Sequence, residues 1–310
     1  MSELGNNLLL FCGLSFVSGL LCGLFTPAFG RRTDLVDRAQ VDSSGRPISR
    51  AGGTALLLAW CVGLSAAGQL GGALLPLLAT ASAAWLIGLH DDFTDSSPRV
   101  RVVLLAGLAL GAAASGLRCD HVVFPGGSSF ALGGAAIPLS ALWILGTTVA
   151  FNFIDGLDGL ALSLGAIAAA CFVFGGATGP FALATLTLAA AQIGLLAWNR
   201  PPAAFYLGDN GSNMLGFSLG ALSISSLGGG GGFPVVTALL LLAVPIVDAA
   251  STVLRRARGS GSLFDSDLAH LHHRVQAKRG GDLGALALLV GAALAAAVLG
   301  LSLLLLSTTA

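Results

Sequence analysis

Between two long apolar runs the chain reads Asn152-Phe153-Ile154-Asp155-Gly156-Leu157-Asp158-Gly159-Leu160. Two aspartates three residues apart share one face of a helical turn, so both carboxylates are able to point at the same ligand. The glycine after each aspartate lets a phosphate or a neighbouring backbone come close. Because ionisable groups at the end of an apolar span usually face a wet, functional cavity, the stretch predicts a site at a membrane boundary. The alternative is an Asp-Gly turn that merely joins two helices.

The composition excludes an ordinary soluble domain. Hydrophobic residues make up 55% of the chain and charged residues 10%, and the mean hydropathy is +0.87, whereas soluble domains carry about 25% charged residues. No basic face is large enough to make nucleic acid a partner. The five cysteines form neither a disulfide framework nor a metal-ligand spacing. We therefore expect an all-α integral membrane protein, with residues 1–310 forming a single polytopic domain.

Ten segments are apolar over about the 20 residues that a helix needs to cross a bilayer. They are predicted at 8–28, 52–69, 71–89, 101–117, 138–154, 160–176, 180–198, 211–228, 233–253 and 284–307. The first is expected to be a retained span with the N-terminus outside the cytoplasm. Its flanks are the reverse of a signal peptide's, since basic residues follow the apolar run and do not precede it.

The basic residues fall almost entirely on one side of this topology. Of the fifteen lysines and arginines, all but Arg118 lie in the loops at about 29–50, 90–101, 199–210 and 254–283. The positive-inside rule makes these loops cytoplasmic. Twelve of the fifteen acids lie on the same side, so we expect any chemistry to face the cytoplasm.

Three of these loops carry residues suited to phosphates or metal ions. Arg50 precedes Gly52-Gly53 at a helix start, where amides and a guanidinium converge on a phosphate; an ordinary positive-inside arginine is the alternative. His90-Asp91-Asp92-Phe93-Thr94-Asp95 places three carboxylates together, a pattern typical of a magnesium site, although a solvated loop is the alternative. Asp209, between a glycine and the start of a span, suits a metal ion in the same way.

Other residues are open to two interpretations. Tyr206 either stacks on a base or belongs to the interfacial aromatic belt. The histidines of His270-Leu271-His272-His273-Arg274 lack a cysteine or close fourth ligand for zinc, so contact with phosphate is favoured over a metal site. Asp248 lies within a span, where a carboxylate is a functional candidate by default or else a buried hydrogen-bonding group.

These motifs together resemble the polyprenyl-phosphate N-acetylhexosamine-1-phosphate transferases, integral membrane enzymes of glycosyltransferase family 4. The resemblance covers nearly the whole chain in the family's order. It rests on Pro47…Arg50-x-Gly52-Gly53, Asp91-Asp92 with Ser97-Pro98-Arg99, Asn152-x-x-Asp155-Gly156-x-Asp158-Gly159, Asn199…Gly208-Asp209-x-Gly211-Ser212 and His270-x-His272-His273-Arg274. The histidine motif is similar to that of the subgroup that uses UDP-N-acetylglucosamine. His90 and Ser49 depart from the usual pattern, and neither departure removes a catalytic group.

The resemblance implies a role for each matching residue. The implied catalytic residues are Asp91, Asp92, Asp155, Asp158, Asp209 and His272. The implied metal ligands are Asp92, Asp155 and Asp209. The implied substrate-binding residues are Arg50, Asn152, Asn199, Tyr206, His270, His273 and Arg274.

The same resemblance implies a reaction and its partners. N-acetylglucosamine 1-phosphate passes from a UDP-sugar to undecaprenyl phosphate at the cytoplasmic face of the bacterial inner membrane, and UMP leaves. Mg²⁺ is the expected cofactor, with Mn²⁺ as an alternative, and the product enters cell-envelope polysaccharides such as O-antigen. Direct displacement is favoured over an aspartyl-phosphate, because a phosphate is already ionised. A homodimer, a UDP-N-acetylmuramoyl-pentapeptide substrate and, in another class, an ion-coupled transporter are the alternatives kept open.

Overall fold

The computed structural model describes residues 7–174, 178–227, 232–258, 271–279 and 281–309. Within these ranges the helices are α1 (Leu8–Thr33), α2 (Gly52–Ala66), α3 (Leu75–Thr94), α4 (Pro98–Ala114), α5 (Ala136–Ile154), α6 (Leu160–Phe174), α7 (Gly179–Asn199), α8 (Gly208–Leu227), α9 (Val235–Leu241), α10 (Ala243–Arg258), α11 (Leu271–Arg279) and α12 (Asp282–Thr309). Short 3-10 turns precede α3 and α5. The protein is an all-α membrane protein, as its composition predicts.

Each of the ten predicted apolar segments overlaps a helix, and the segment 233–253 overlaps two, α9 and α10. Among the described residues, five helices are long and apolar enough to cross a membrane: α1, α3, α5, α7 and α12. The α9–α10 pair, bent by 85°, makes a sixth if it counts as one span. The chain is therefore a multi-pass membrane protein, and the number of ten spans stays a prediction.

Helix α8 is the centre of the bundle and is buried on nearly all sides. Helices α2, α3, α5 and α6 pack around it. Small residues fill its sequence, which lets the neighbouring backbones approach closely, as is usual where helices pack within a membrane. Its first residues, Gly208 and Asp209, therefore lie where the ends of several helices meet.

Two glycines make this close approach possible. A Cβ added to Gly53 in α2 would lie 2.2 Å from the Gly211 Cα, and one added to Gly88 in α3 would lie 2.2 Å from the Asp209 carbonyl oxygen. Both contacts are with the backbone of the first turn of α8, which has little freedom to move aside. The glycines thus set the position of that turn.

Two small sheets complete the described chain. Strands β1 (Val36–Val41) and β2 (Pro47–Ser49) form an antiparallel pair with Val36 opposite Ser49. Strands β3 (His121–Val123) and β4 (Ser129–Ala131) form a hairpin, and β5 (Phe233–Pro234) lies parallel to β3. The hairpin lies in the connection between the fourth and fifth predicted apolar segments.

Replacing either glycine by alanine should loosen the first turn of α8. We expect Gly53→Ala and Gly88→Ala each to lower the free energy of unfolding by about 1–3 kcal/mol, the usual cost of overpacking. Denaturation of the purified protein by sodium dodecyl sulfate measures this. Gly107→Ala and Gly146→Ala are matched controls, since an added Cβ has nothing within 4 Å. Equal loss in all four variants would contradict the assignment.

Candidate active site

A cavity of about 460 Å³ lies where the first turn of α8 meets the ends of its neighbours. Segments from β1 to the start of α12 contribute to it, so residues almost 250 positions apart become neighbours. The polar side chains that line it are Asp37, Gln40, Arg50, Asp92, Asn152, Asp155, Asp158, Asn199, Tyr206, Asp209, Ser212, Gln276 and Asp282. The structure thus brings together eight of the residues singled out in the sequence.

The stretch with two aspartates is a turn and not part of a helix. Helix α5 ends at Ile154, and the chain turns through residues 155–159 before α6 begins at Leu160. Gly159 adopts a φ of +75°, a conformation that side chains rarely tolerate. The helical-face argument was therefore wrong about the local structure. Asp155 and Asp158 nevertheless both line the cavity, because the turn itself forms part of the wall.

Asp92 joins the end of α3 to the start of α8. Its Oδ1 accepts the Asp209 N–H at 3.0 Å, and its Oδ2 accepts the Asn210 N–H at 2.8 Å and the Asn210 side-chain amide at 2.7 Å. These are first-turn amides that lack partners inside the helix. The Asp92 side chain is only 1% exposed, so in this structure it acts mainly as a cap for α8.

Asp209 faces the cavity more openly, with 27% of its side chain exposed. One carboxylate oxygen accepts a hydrogen bond from Asn152, and the other lies 3.2 Å from the guanidinium of Arg101. Asn152 also donates to the Ser212 hydroxyl at 3.1 Å. The Asp209 carboxylate is therefore fixed from two sides while remaining open to the cavity.

Asp91 lies beside Asp209 but does not line the cavity. It forms an ion pair with Arg101 and accepts a hydrogen bond from Ser96. Because Arg101 also pairs with Asp209, one arginine links the two carboxylates. In this geometry Asp91 contacts the groups that hold the Asp209 carboxylate in place.

Asn199 and Asp158 hold the surrounding loops. The Asn199 amide accepts the Gly159 N–H at 3.1 Å and donates to the Phe205 carbonyl at 2.8 Å. The Asp158 carboxylate accepts the Ala203 N–H at 2.8 Å. Both side chains thus tie the turn at 155–159 to the loop that leads into α8. Asn199 is buried, and its role in this structure is to position that loop.

Arg50 lines the cavity close to the carboxylates of Asp37 and Asp92. Its guanidinium is 3.1 Å from Asp37 and 3.9 Å from Asp92. The Tyr206 N–H donates to the Ser49 carbonyl at 2.7 Å, and the Gly52 N–H donates to the Tyr206 carbonyl at 3.1 Å. These backbone bonds place the tyrosine at the cavity wall beside the arginine.

The cavity is strongly acidic. Six aspartates line it, and Arg50 is the single cation among the described lining residues. Burial raises the pKa of Asp155 well above its ordinary value, and the charges of Asp209, Asp92 and Asp158 raise it further. Burial also raises the pKa of Asp158. The site therefore favours a cation and repels a free phosphate.

The predicted metal ligands are not assembled as a cage. Within the described chain, no group of three or more Asp, Glu, His or Cys side chains is placed to hold a metal ion. Both carboxylate oxygens of Asp92 accept hydrogen bonds from amides of α8, whereas Asp155 accepts no hydrogen bond from the described residues. The set Asp92, Asp155 and Asp209 stays a prediction, with Asp155 and Asp209 the more accessible members.

The histidine motif is only partly described. His270 lies outside the described residues, as do the side chains of His272 and His273, although the backbone of both belongs to α11. Arg274 is exposed on the same helix. Gln276, four residues after His272, lines the cavity and donates to Asp282 at 2.5 Å. The helix that carries the motif therefore borders the site.

The sequence argument did not identify five residues of the site: Arg101, Asp37, Gln40, Gln276 and Asp282. Arg101 in α4 and Asp37 in β1 belong to stretches rich in charged residues, where the sequence does not distinguish a buried ion pair from a solvated one. Gln276 and Asp282 enter through the packing of α11 and α12. A sequence signal existed only for Arg101, ten residues after Asp91 and in the first turn of α4.

The central part of the chain matches a known family. Residues 74–227 match the sequence model of glycosyl transferase family 4, a region that runs from α3 through α8 and includes most of the cavity wall. The relatives agree with this match. Over this region the chain matches glycosyl transferase family 4, as its motifs predict.

Three relatives illustrate the range of similarity. A probable undecaprenyl-phosphate N-acetylglucosaminyl 1-phosphate transferase of Bacillus subtilis is 34% identical over 62% of this chain and 55% of its own length. An undecaprenyl-phosphate alpha-N-acetylglucosaminyl 1-phosphate transferase of Thermotoga maritima is 27% identical over 88% and 84%. A decaprenyl-phosphate N-acetylglucosaminephosphotransferase of Mycolicibacterium smegmatis is 38% identical over 41% and 37%. The chain thus spans about half of the Bacillus relative and about a third of the mycobacterial one.

The raised pKa of Asp155 predicts a pH-dependent effect on stability. A carboxyl group whose pKa is raised on folding destabilises the folded state once pH exceeds its unfolded value of about 4. We expect Asp155→Asn to raise the thermal unfolding midpoint at pH 7.5, measured in metal-free detergent solution, and the gain to shrink as pH falls towards about 4.

Asp42, on the β1–β2 hairpin, provides a control of opposite sign. The Arg46 N–H lowers the pKa of this carboxyl group, with help from the Ser44 N–H and the Arg46 charge. Asp42→Asn should therefore lower the midpoint at pH 7.5, and its effect should vanish as pH falls below the lowered pKa. A fall in the midpoint of Asp155→Asn at pH 7.5 would contradict the electrostatic argument.

Proposed function

We propose that this protein transfers N-acetylglucosamine 1-phosphate from UDP-N-acetylglucosamine to undecaprenyl phosphate and releases UMP. The observation that carries the proposal is the cavity at the first turn of α8, where Arg50, Asp155, Tyr206 and Asp209 meet from four separate segments. The family match supports a sugar-phosphate transferase, and the names of the relatives support this sugar and this class of lipid.

The location of the cavity suits both substrates. One is a nucleotide sugar dissolved in water, and the other is a phosphate headgroup on a long lipid, so the reaction must occur at a membrane boundary. The cavity lies at helix ends, where α5 stops and α8 starts. We place it at the cytoplasmic face of the bacterial inner membrane, because the loops that form it carry nearly all the basic residues.

The acidic lining supports magnesium as the cofactor. Mg²⁺ is usually held by one or two carboxylates together with substrate phosphates and waters, so a complete protein cage is not required. Asp155 and Asp209 supply hard oxygen donors inside the cavity. Bound there, the ion would neutralise the diphosphate and stabilise the charge on the departing phosphate. Mn²⁺ prefers the same donors and is the alternative cofactor.

The protein's own residues bind and orient the two phosphates. Arg50 is positioned to attract the lipid phosphate, and Tyr206 is positioned beside it to contact the nucleotide. An oxygen of the lipid phosphate forms a bond to the β-phosphorus, the bond from that phosphorus to the bridging oxygen breaks, and UMP leaves with the electron pair. Since the attacking phosphate is already ionised, alignment contributes more than a general base.

The sequence favours this substrate over UDP-N-acetylmuramoyl-pentapeptide, because the histidine motif is of the His-x-His-His-Arg form. The distribution of the acids also argues against ion-coupled transport. Transporter sites usually lie near the bilayer midplane on broken helices, whereas twelve of the fifteen acids here lie on the predicted cytoplasmic side. Asp248, the acid within a span, is fully buried and accepts the Leu271 N–H at 2.5 Å. We therefore propose a transferase and not a transporter. A homodimer is compatible with this proposal.

UMP release by purified protein in detergent tests the proposal directly. UDP-N-acetylglucosamine, UDP-N-acetylgalactosamine and UDP-N-acetylmuramoyl-pentapeptide are supplied one at a time, each with and without undecaprenyl phosphate and Mg²⁺. We expect release with UDP-N-acetylglucosamine only when lipid and metal are both present, and loss of release with a chelator. Folded protein that releases UMP from none of the three sugars would overturn the proposal.

Two conservative variants should fail for different reasons. Asp209→Asn removes the charge of the carboxylate but keeps an oxygen that accepts the hydrogen bond from Asn152. Turnover should therefore fall by at least about a thousandfold, with little loss of stability. In Asp92→Asn one oxygen becomes an NH₂ group facing backbone donors, so the unfolding free energy should also fall by about 1–3 kcal/mol.

Thermal unfolding alongside UMP release separates the two effects. Ser226→Ala, which removes a buried hydroxyl 3.2 Å from the Thr185 hydroxyl, is the control for loss of an ordinary buried hydrogen bond. Near-normal turnover in Asp209→Asn would remove this carboxylate from the mechanism.

A further inference from the structure

Asp248 is a buried carboxylate that the proposed mechanism does not use. It lies on the inward face of α10 between Val244 and Thr252, four residues on either side, and all three are buried. Helix α10 begins after the 85° bend and passes alongside α5 and α12. The bend thus brings a carboxylate within a predicted span close to the end of the bundle that holds the active site.

The Oδ1 of Asp248 accepts the backbone N–H of Leu271 at 2.5 Å. Leu271 is the first described residue of α11, the helix that carries His272, His273 and Arg274. A first-turn N–H has no partner inside its own helix, and a carboxylate at this end also interacts favourably with the helix dipole. Asp248 therefore supplies, from 23 residues away, what a local N-cap normally supplies.

Helix α11 needs such anchors. Its described part has nine residues, fewer than the ~12–15 at which an isolated helix becomes even marginally stable in water. Its described hydrogen bonds to other elements join Leu271 to Asp248, and Gln276 to Asp282 at the start of α12. Leu271 and Val275 also pack against the core. The position of the helix is consequently set by its neighbours.

We propose that Asp248 is a positioning residue, which anchors the first turn of α11 and so fixes the histidine motif beside the cavity. This inference rests on the proposed function only in assigning the histidines to the reaction. Asp248 itself touches no substrate. Through the Leu271 N–H it determines where the backbone of residues 272–274 lies relative to Gln276, which lines the cavity.

Hydrogen–deuterium exchange of the full-length protein in detergent, without substrates, tests the anchor. In Asp248→Ala the amides of peptides covering 271–279 should exchange at least about tenfold faster, because a cap is lost. In Asp248→Asn an amide oxygen still accepts the Leu271 N–H, so exchange should stay within about threefold of wild type. In both Asp248 variants, peptides from α8 should exchange as in wild type. In the control Ser226→Ala, peptides covering 271–279 should exchange as in wild type.

Turnover measured on the same proteins connects the anchor to the site. The kcat for UMP release should fall about tenfold or more in Asp248→Ala and recover in Asp248→Asn, since small displacements of aligned groups reduce rates strongly. Unchanged exchange at 271–279 in Asp248→Ala would overturn the proposal, and so would equally fast exchange in the Ala and Asn variants. A fall in kcat without faster exchange would also overturn it.

The same experiments distinguish failure of the proposed function from failure of the anchor. If wild-type protein releases no UMP, the transferase assignment fails, while the exchange data still decide whether Asp248 anchors α11.

Discussion

The cap that Asp92 places on α8 is the interaction on which the rest of the site depends. The first-turn amides of a buried helix would be costly to leave unpaired, and the Asp92 carboxylate satisfies two of them. The same contact joins α3 to α8, and the Asp92 side chain is only 1% exposed. Gly53 and Gly88 allow it, because any larger residue would push the first turn away. One carboxylate and two glycines therefore locate Asp209.

The carboxylates of the site divide into two kinds by what they contact. Asp91 and Asp92 are engaged by arginine, serine and backbone amides, so they support the geometry. Asp155 and Asp209 line the cavity and accept no backbone N–H from the described residues. Asp92 also lines the cavity, but backbone amides of α8 occupy both of its oxygens. Arg101 couples the two kinds, since it pairs with Asp91 and with Asp209.

A site of this kind is destabilised until its ligands arrive. Six aspartates around one cavity repel one another. Burial raises the pKa of Asp155 by desolvation, and the charges of Asp209, Asp92 and Asp158 raise it further. A divalent cation would relieve that repulsion. Local strain of this electrostatic sort is common at functional sites, where the surrounding fold compensates for it. Here the compensation is the tightly packed helix bundle around α8.

The sequence by itself determined the membrane class, the positions of the apolar helices and the family motifs, because hydropathy and charge are local properties that a one-dimensional pattern records. It also identified eight cavity residues, including Arg50 and Asp209. It misjudged the turn at 155–159, where Gly159 decides the backbone, and it did not find Arg101 or the contact of Asp248 with Leu271. Only the tertiary structure decided which carboxylates face the cavity, because that depends on which backbone amides and guanidinium groups the packing brings to each of them.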